Sequence, residues 1–146
     1  MSKIEKSALV SYSAQQMFSL VNDIESYPQF MRGCSAANIL KRGDNWIEAQ
    51  LELQRGSFKQ SFTTRNTLQE PQLMTMELVE GPFKTFTGEW SFQALSESAC
   101  KVCFKLDFTF ANPLLGMMMN SVFEQVATEQ VQSLCERAVE TYGKGV

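Results

Sequence analysis

The sequence predicts an α+β domain in which a curved antiparallel sheet of about seven strands wraps around one long C-terminal helix, with two short helices after the first strand. Three observations predict it. Apolar residues recur with a period of two from about Cys34 to Phe110. The breaks between these runs are too short for crossover helices, so the strands pair as an antiparallel meander. The C-terminal residues then switch to helical spacing and stay there. One apolar sheet face and one apolar helix stripe bury each other only if the sheet curls round the helix. Such a wrap leaves space between them, and whether that space is filled or hollow decides the function.

The elements follow in order. "SKIEKSALV" (Ser2–Val10) reads as the first strand. "YSAQQMFSLVNDI" has helical spacing, with Met17, Leu20, Val21 and Ile24 as its buried stripe. Ser13 and Gln16 spell a capping box at its start. Pro28 is expected to push Tyr27 out of the α region, ending this helix and opening a short second one. Ala37 and Ile39 belong to the next strand, which turns at Arg42–Asn45. Ile47, Ala49, Leu51 and Leu53 alternate with Glu48, Gln50 and Glu52, and Arg55-Gly56 signals a tight hairpin. Phe58, Phe62 and Leu68 share a face with Gln60, Thr64 and Asn66. After a turn at Gln69–Gln72 come Met74, Met76 and Leu78. The cleanest strand carries Val102, Phe104, Leu106, Phe108 and Phe110 against Cys103, Lys105, Asp107 and Thr109. Asn112 caps the last helix and Pro113 takes its first position. Its stripe runs through Met119, Phe123, Val126, Val131, Leu134, Ala138 and Tyr142 to a stop at Gly143. A single rod of roughly thirty residues spans about 45 Å.

Composition narrows the chemistry. The 146 residues suit one domain, residues 1–146, with enough apolar material for a core without staples. The net charge of −3 gives no general attraction to DNA or to an anionic membrane. The chain has no histidine, which excludes the commonest general base, the triads built on it and most zinc sites. Cys100 and Cys103 spell C-x-x-C, but within an alternating strand they point to opposite faces, about 10 Å apart, beyond disulfide reach. With no cysteine framework and no signal-like apolar start, the expected compartment is the cytoplasm. No apolar run approaches the roughly 18 residues of a membrane span. No carboxylate pair, phosphate loop or metal cluster stands out.

Four features carry functional readings beside plainer ones. In "EGPFKTFTGEW" (Glu80–Trp90), parity sends Phe86 and Trp90, then Phe92, to one face and Thr85, Thr87 and Glu89 to the other, with Phe83 on the outer side. Gly88 marks a bend, a bulge or a close approach, and Gly81-Pro82-Phe83 is either a plain turn or a lip over a cavity. Met117, Met118 and Met119 cannot all face one sheet, so they fill gaps with one or two exposed, or form an apolar mouth or docking face. Gln60, Thr64 and Asn66 lie on an inward face, where they bond one another or water, or orient a ligand. Lys59, Arg65, Lys101 and Lys105 lie on the outer face with Glu77, Glu89 and Asp107, as a solvated mixed surface or as an RNA contact.

The order of elements resembles the START-like helix-grip fold. "VNDIESYPQF" with Cys34 after it, "FTTRN", "EGPFKTFTGEWSF" and "CKVCFKLDFTF" are similar to the coenzyme-Q-binding START-domain family and its bacterial, ribosome-association-toxin branch. The likeness covers nearly the whole chain. It departs at Arg32, where the family usually has Pro, and at Phe86, where Leu is usual. The resemblance implies a non-enzymatic apolar pocket between sheet and helix, with no cofactor required. In the mitochondrial branch that pocket binds ubiquinone and supports respiration. The bacterial branch binds the large ribosomal subunit and blocks subunit joining.

On this basis the expected ligand is ubiquinone or a similar polyprenyl lipid. Phe62, Phe83, Phe86, Trp90, Phe104 and Phe123 are expected to bind it, with Met117 and Met118 near the mouth. Tyr27, Pro28, Phe30, Gly81 and Pro82 are expected to gate the entrance. The alternative is a ribosome-binding regulator that uses Lys59, Arg65, Lys101 and Lys105. A peripheral contact with the inner membrane is a further expected partner. An aromatase- or cyclase-type enzyme of the same superfamily is disfavoured, since no inward acid–base pair is in sight.

Overall fold

A computed structural model describes residues 2–144. β1 (Ser2–Val10) leads into α1 (Ala14–Asn22), a three-ten turn at Ile24–Ser26 and α2 (Tyr27–Phe30). Then come β2 (Cys34–Arg42), β3 (Trp46–Arg55), β4 (Phe58–Gln69), β5 (Leu73–Glu80), β6 (Phe83–Ser96) and β7 (Ala99–Phe110). α3 (Pro113–Thr128) and α4 (Gln130–Tyr142) complete the chain. The strands form one antiparallel sheet in the order β1-β7-β6-β5-β4-β3-β2. It is a meander from β2 to β7, with β1 laid against β7.

Local chemistry sets the element ends. Ser13 Oγ accepts from Gln16 N at 3.0 Å while Gln16 Oε1 accepts from Ser13 N at 2.8 Å, the reciprocal box that the sequence spells. Asn112 Oδ1 accepts from Leu114 N at 2.9 Å and Leu115 N at 3.3 Å, so two orphan donors of α3 are satisfied. Gly56 holds a φ of +58° in the β3–β4 turn, a conformation open mainly to glycine. On β7 the residues Cys100, Val102, Phe104, Leu106, Phe108 and Phe110 are all buried, as a period of two requires. Cys103 faces the other side, and all four cysteines are free.

Three expectations need correction. The C-terminal helix is not one rod: it breaks at Glu129. There the Thr128 hydroxyl donates to Gln125 O at 2.9 Å, and Glu129 N turns back to Val126 O at 3.2 Å. The Gln130 side-chain amide then donates to that same Val126 carbonyl at 2.7 Å. Side chains and a tightened turn thus replace the i→i−4 ladder, a recognised cause of helix bending.

Tyr27 is the second. It lies in the α region (φ −52°, ψ −40°), and α1 has already ended at Asn22. Pro28 sits in the first turn of α2, where its missing N–H has no helical partner to lose. A buried hydrogen bond from the Tyr27 hydroxyl to Val21 O fixes this geometry.

Phe83 is the third. It is buried, not outward, because the register shifts between Phe83 and Thr85. Phe83 pairs with Phe110 and Thr85 with Thr109, so Lys84 is an extra residue and parity inverts across it.

Candidate functional site

The space between sheet and helix is hollow. A cavity of about 80 Å³, measured as room for the centre of a water-sized sphere, lies at the concave face of the sheet. By that measure a single water needs roughly 10–15 Å³, so several waters or one ring-sized group fit.

Its walls come from every layer. β6 and β7 contribute Phe86, Trp90, Phe104 and Leu106. Trp90 packs on Phe104 with centroids 4.5 Å apart and the rings tilted by 35°. β3, β4 and β5 add Leu51, Leu53, Phe62, Thr64, Asn66 and Met76. The segment before β2 contributes Ile24, Tyr27, Met31 and Cys34, and the C-terminal helix covers the cavity with Phe123, Val126, Ala127 and Gln130. Gly88 shapes the floor: a Cβ there would meet Met76 Cε at 2.8 Å and Leu106 Cδ1 at 3.3 Å.

Among the described residues, no charged side chain lines this cavity. Two groups that can ionise do, and both are held neutral. Burial pushes the Tyr27 phenol well above its ordinary range and the Cys34 thiol up to about 11. The polar groups are few. Thr64 Oγ donates to Asn66 Oδ1 at 2.8 Å, and Asn66 Nδ2 approaches Met74 Sδ at 3.7 Å. Gln130 Nε2 donates to Val126 O and to Arg32 O at 3.1 Å, stitching the helix break to the loop before β2.

Ion pairs frame the break. Arg55 Nη2 meets Glu129 Oε1 at 2.6 Å, and Arg32 Nη2 reaches both oxygens of Glu136 at 3.0 and 3.1 Å. Arg32 N also donates to Ser133 Oγ at 3.2 Å, a bond that proline could not make. Gly33 sits against Val126, where a Cβ would come within 2.9 Å of the valine methyl.

The sequence-expected residues separate into groups. Phe62, Phe86, Trp90, Phe104 and Phe123 line the cavity together, and Tyr27 joins them as wall. Phe83 lies behind the lining, stacked on Phe110 at 4.9 Å and 5.2 Å from Phe123. Gly81 and Pro82 lie apart from the cavity. A Cβ at Gly81 would meet Phe62 Cβ at 2.7 Å, and Pro82 O accepts from Ala111 N at 2.9 Å, so this turn is tied to the connection that leads from β7 into α3. Pro28 is exposed, while Phe30 packs edge-on against Tyr27 at 5.7 Å beneath Arg137. Met117 and Met118 are 84% and 63% exposed and are not part of this cavity's lining.

The four outer cations do not form one patch. Arg65 pairs with Glu48 at 3.2 Å and stacks on Trp46, and Lys59 lies 4.0 Å from Glu52. Lys101 and Lys105 sit on β7, beyond β5 and β6, and Lys105 lies between Glu5 and Glu89 in register. Sequence reasoning missed Gln130, since nothing in a helical pattern marks a glutamine that turns inward at a break.

Residues 10–135 match the family model described as polyketide cyclase / dehydrase and lipid transport. The chain is 43% identical over 142 residues to the ribosome association toxin RatA of Escherichia coli K12, covering 97% of this chain and 90% of that one. It is 27% identical over 138 residues to the mitochondrial coenzyme Q-binding protein COQ10 of Dictyostelium discoideum, covering 92% and 67%. Two solved structures share the fold. The Zhui aromatase/cyclase from Streptomyces sp. R1128 superposes with a TM-score of 0.84 at 17% identity over 99% of both chains. A START superfamily protein from Mycobacterium smegmatis does so with a TM-score of 0.73 at 23% identity, covering 96% and 95%.

Proposed function

The chain belongs to the polyketide cyclase / dehydrase and lipid transport family, and from that premise we propose that it is a non-enzymatic carrier of a hydrophobic ligand, ubiquinone or a related polyprenyl lipid, in support of respiration. The observation that carries this reading is the cavity without a charged group. Catalysis of the aromatase or cyclase kind needs an acid or base aimed at substrate. Here the two lining groups that could serve, Tyr27 and Cys34, are held protonated by burial. What the walls offer is apolar contact, aromatic rings and the side-chain amides of Asn66 and Gln130.

The cavity suits a ring, and a polyprenyl tail needs more room. In this reading α3 and α4 move about Glu129, where the backbone ladder is already interrupted. A longer tail would be admitted by parting α3 from the Met31 segment at that point. The test is native mass spectrometry of protein extracted gently from its own cells. A prenylated quinone riding with the chain is the expected result. A chain that neither carries one nor takes one up from vesicles is no quinone carrier.

A second reading is favoured by one specific observation, the 43% identity to a ribosome association toxin over almost the full length of both chains. In this reading the chain binds the ribosome through its outer surface, with Lys59, Arg65, Lys101 and Lys105 as phosphate contacts. Sucrose-gradient profiles after overexpression test it. Loss of joined ribosomes, relieved by added salt, is expected. Unchanged profiles rule it out.

A further inference from the structure

We infer that Asn66 makes the cavity selective for a neutral ligand that carries a hydrogen-bond acceptor, a ring carbonyl above all, against fatty acids and plain hydrocarbons. This rests on the ligand-binding reading and says what the site distinguishes.

Asn66 is 4% exposed, and it lines the cavity from the middle of β4. Its two amide ends are not equivalent. The Thr64 hydroxyl donates to Oδ1 at 2.8 Å. The nitrogen end faces Met74 Sδ at 3.7 Å, a weak acceptor. Turning the amide over would set two acceptors, Oδ1 and the thioether, against each other, so the amide is held with its nitrogen on the Met74 side, in the wall of the cavity. An amide nitrogen has two protons, and a thioether satisfies at most one of them, poorly. A buried donor left short of a partner is costly, and a ligand oxygen that reaches it removes that cost.

The rest of the lining sets the charge of the ligand. A carboxylate brought into this cavity would leave water for a site with no cation among its walls, which strongly disfavours the ionised form. A neutral carbonyl carries no such penalty. Trp90 and Phe104 line the same cavity and offer aromatic surface to a flat ring. Carbonyl on Asn66 and ring on Trp90 therefore describe one compact group.

The test uses the full chain, stripped of lipid, with three probes: a short-tailed 1,4-benzoquinone, the alkylbenzene with the same tail, and a saturated fatty acid at pH 8. Uptake is measured by equilibrium dialysis with mass-spectrometric quantification. The quinone is expected to bind and the fatty acid not to compete with it. Asn66→Leu is expected to lower the ratio of quinone to alkylbenzene affinity by about 3- to 10-fold, the range of one modest hydrogen bond. Thr64→Val, which frees the amide to rotate, is expected to lower the same ratio less, and it serves if Asn66→Leu does not fold. An unchanged ratio in the folded variant overturns the inference, as does a fatty acid that binds as well as the quinone. If no probe enters the wild-type chain, the ligand-binding reading itself fails, a result distinct from uptake without selectivity.

Discussion

Arg55 Nη2 lies 2.6 Å from Glu129 Oε1, so the β3–β4 hairpin is tied to the one residue at which the C-terminal helix breaks. The side chains are 31% and 27% exposed, so screening discounts the pair, and it contributes about 1 kcal/mol. Glu129→Gln should lower the melting temperature by about 3 °C, and high salt should shrink the difference. Ligand release should also quicken, because the latch over the break is gone. Thermal melts and off-rates from a loaded protein check both.

Phe123 is ringed by Phe58, Phe62, Phe83, Phe86, Phe108 and Phe110, with centroids 4.6 to 6.5 Å away. Phe123→Ala should cost about 3–5 kcal/mol, the range for emptying a large aromatic site. Phe83→Ala should cost nearly as much, since Lys84 shifts Phe83 inward onto Phe110. A surface-like cost for Phe83→Ala, below about 0.5 kcal/mol in chemical denaturation, would contradict its burial.

Gly88→Ala should change function more than stability. The new methyl would press on the free end of Met76, and the cavity gives that end somewhere to go. The cost should stay near the low end of overpacking, about 1 kcal/mol. Ligand affinity should fall as Met76 occupies the space. Unchanged affinity for a ring-sized probe would show that the ligand lies elsewhere.

Burial pushes the Cys34 and Cys100 thiols from an ordinary value of 9.0 up to about 11. Well below pH 9 folded and unfolded chains hold these protons equally, and the full stability is present. Above it the unfolded chain releases protons that the folded one keeps, so stability falls progressively between pH 9 and 11. Denaturation midpoints across that range should drop for the natural chain and drop less for Cys34→Ala. Cys103, half-buried on the outer face, should react with a polar thiol reagent before Cys34 does.

The fold was readable where rules are local. Ser13 with Gln16, Asn112 with Pro113, and the alternation from Val102 to Phe110 each carry their geometry within a few residues. So the helices, strands and meander followed from spacing alone. The exceptions depend on partners distant in sequence. Parity assigned Phe83 outward because one extra residue at Lys84 has no signature until β7 fixes the register. The unbroken rod failed because Gln130 prefers the carbonyls of Val126 and Arg32 to solvent, a choice made by tertiary packing. The candidate site divides the same way. Phe62, Phe86, Trp90 and Phe104 line the cavity because strand faces are periodic. Met117 and Met118 do not, because an apolar helix start gives no hint of which way it will face.

That exposed pair makes the start of α3 the natural first target of an oxidant. Met17 and Met74 are fully buried and Met31 is 4% exposed, whereas Met117 and Met118 meet solvent directly. Dilute peroxide should therefore add oxygen to these two sulfurs first, turning an apolar surface polar while the core keeps its packing. Peptide mapping of the treated chain would find the sulfoxides there, and a methionine sulfoxide reductase would remove them. Redox history, and not only sequence, then sets how greasy this end of the molecule is.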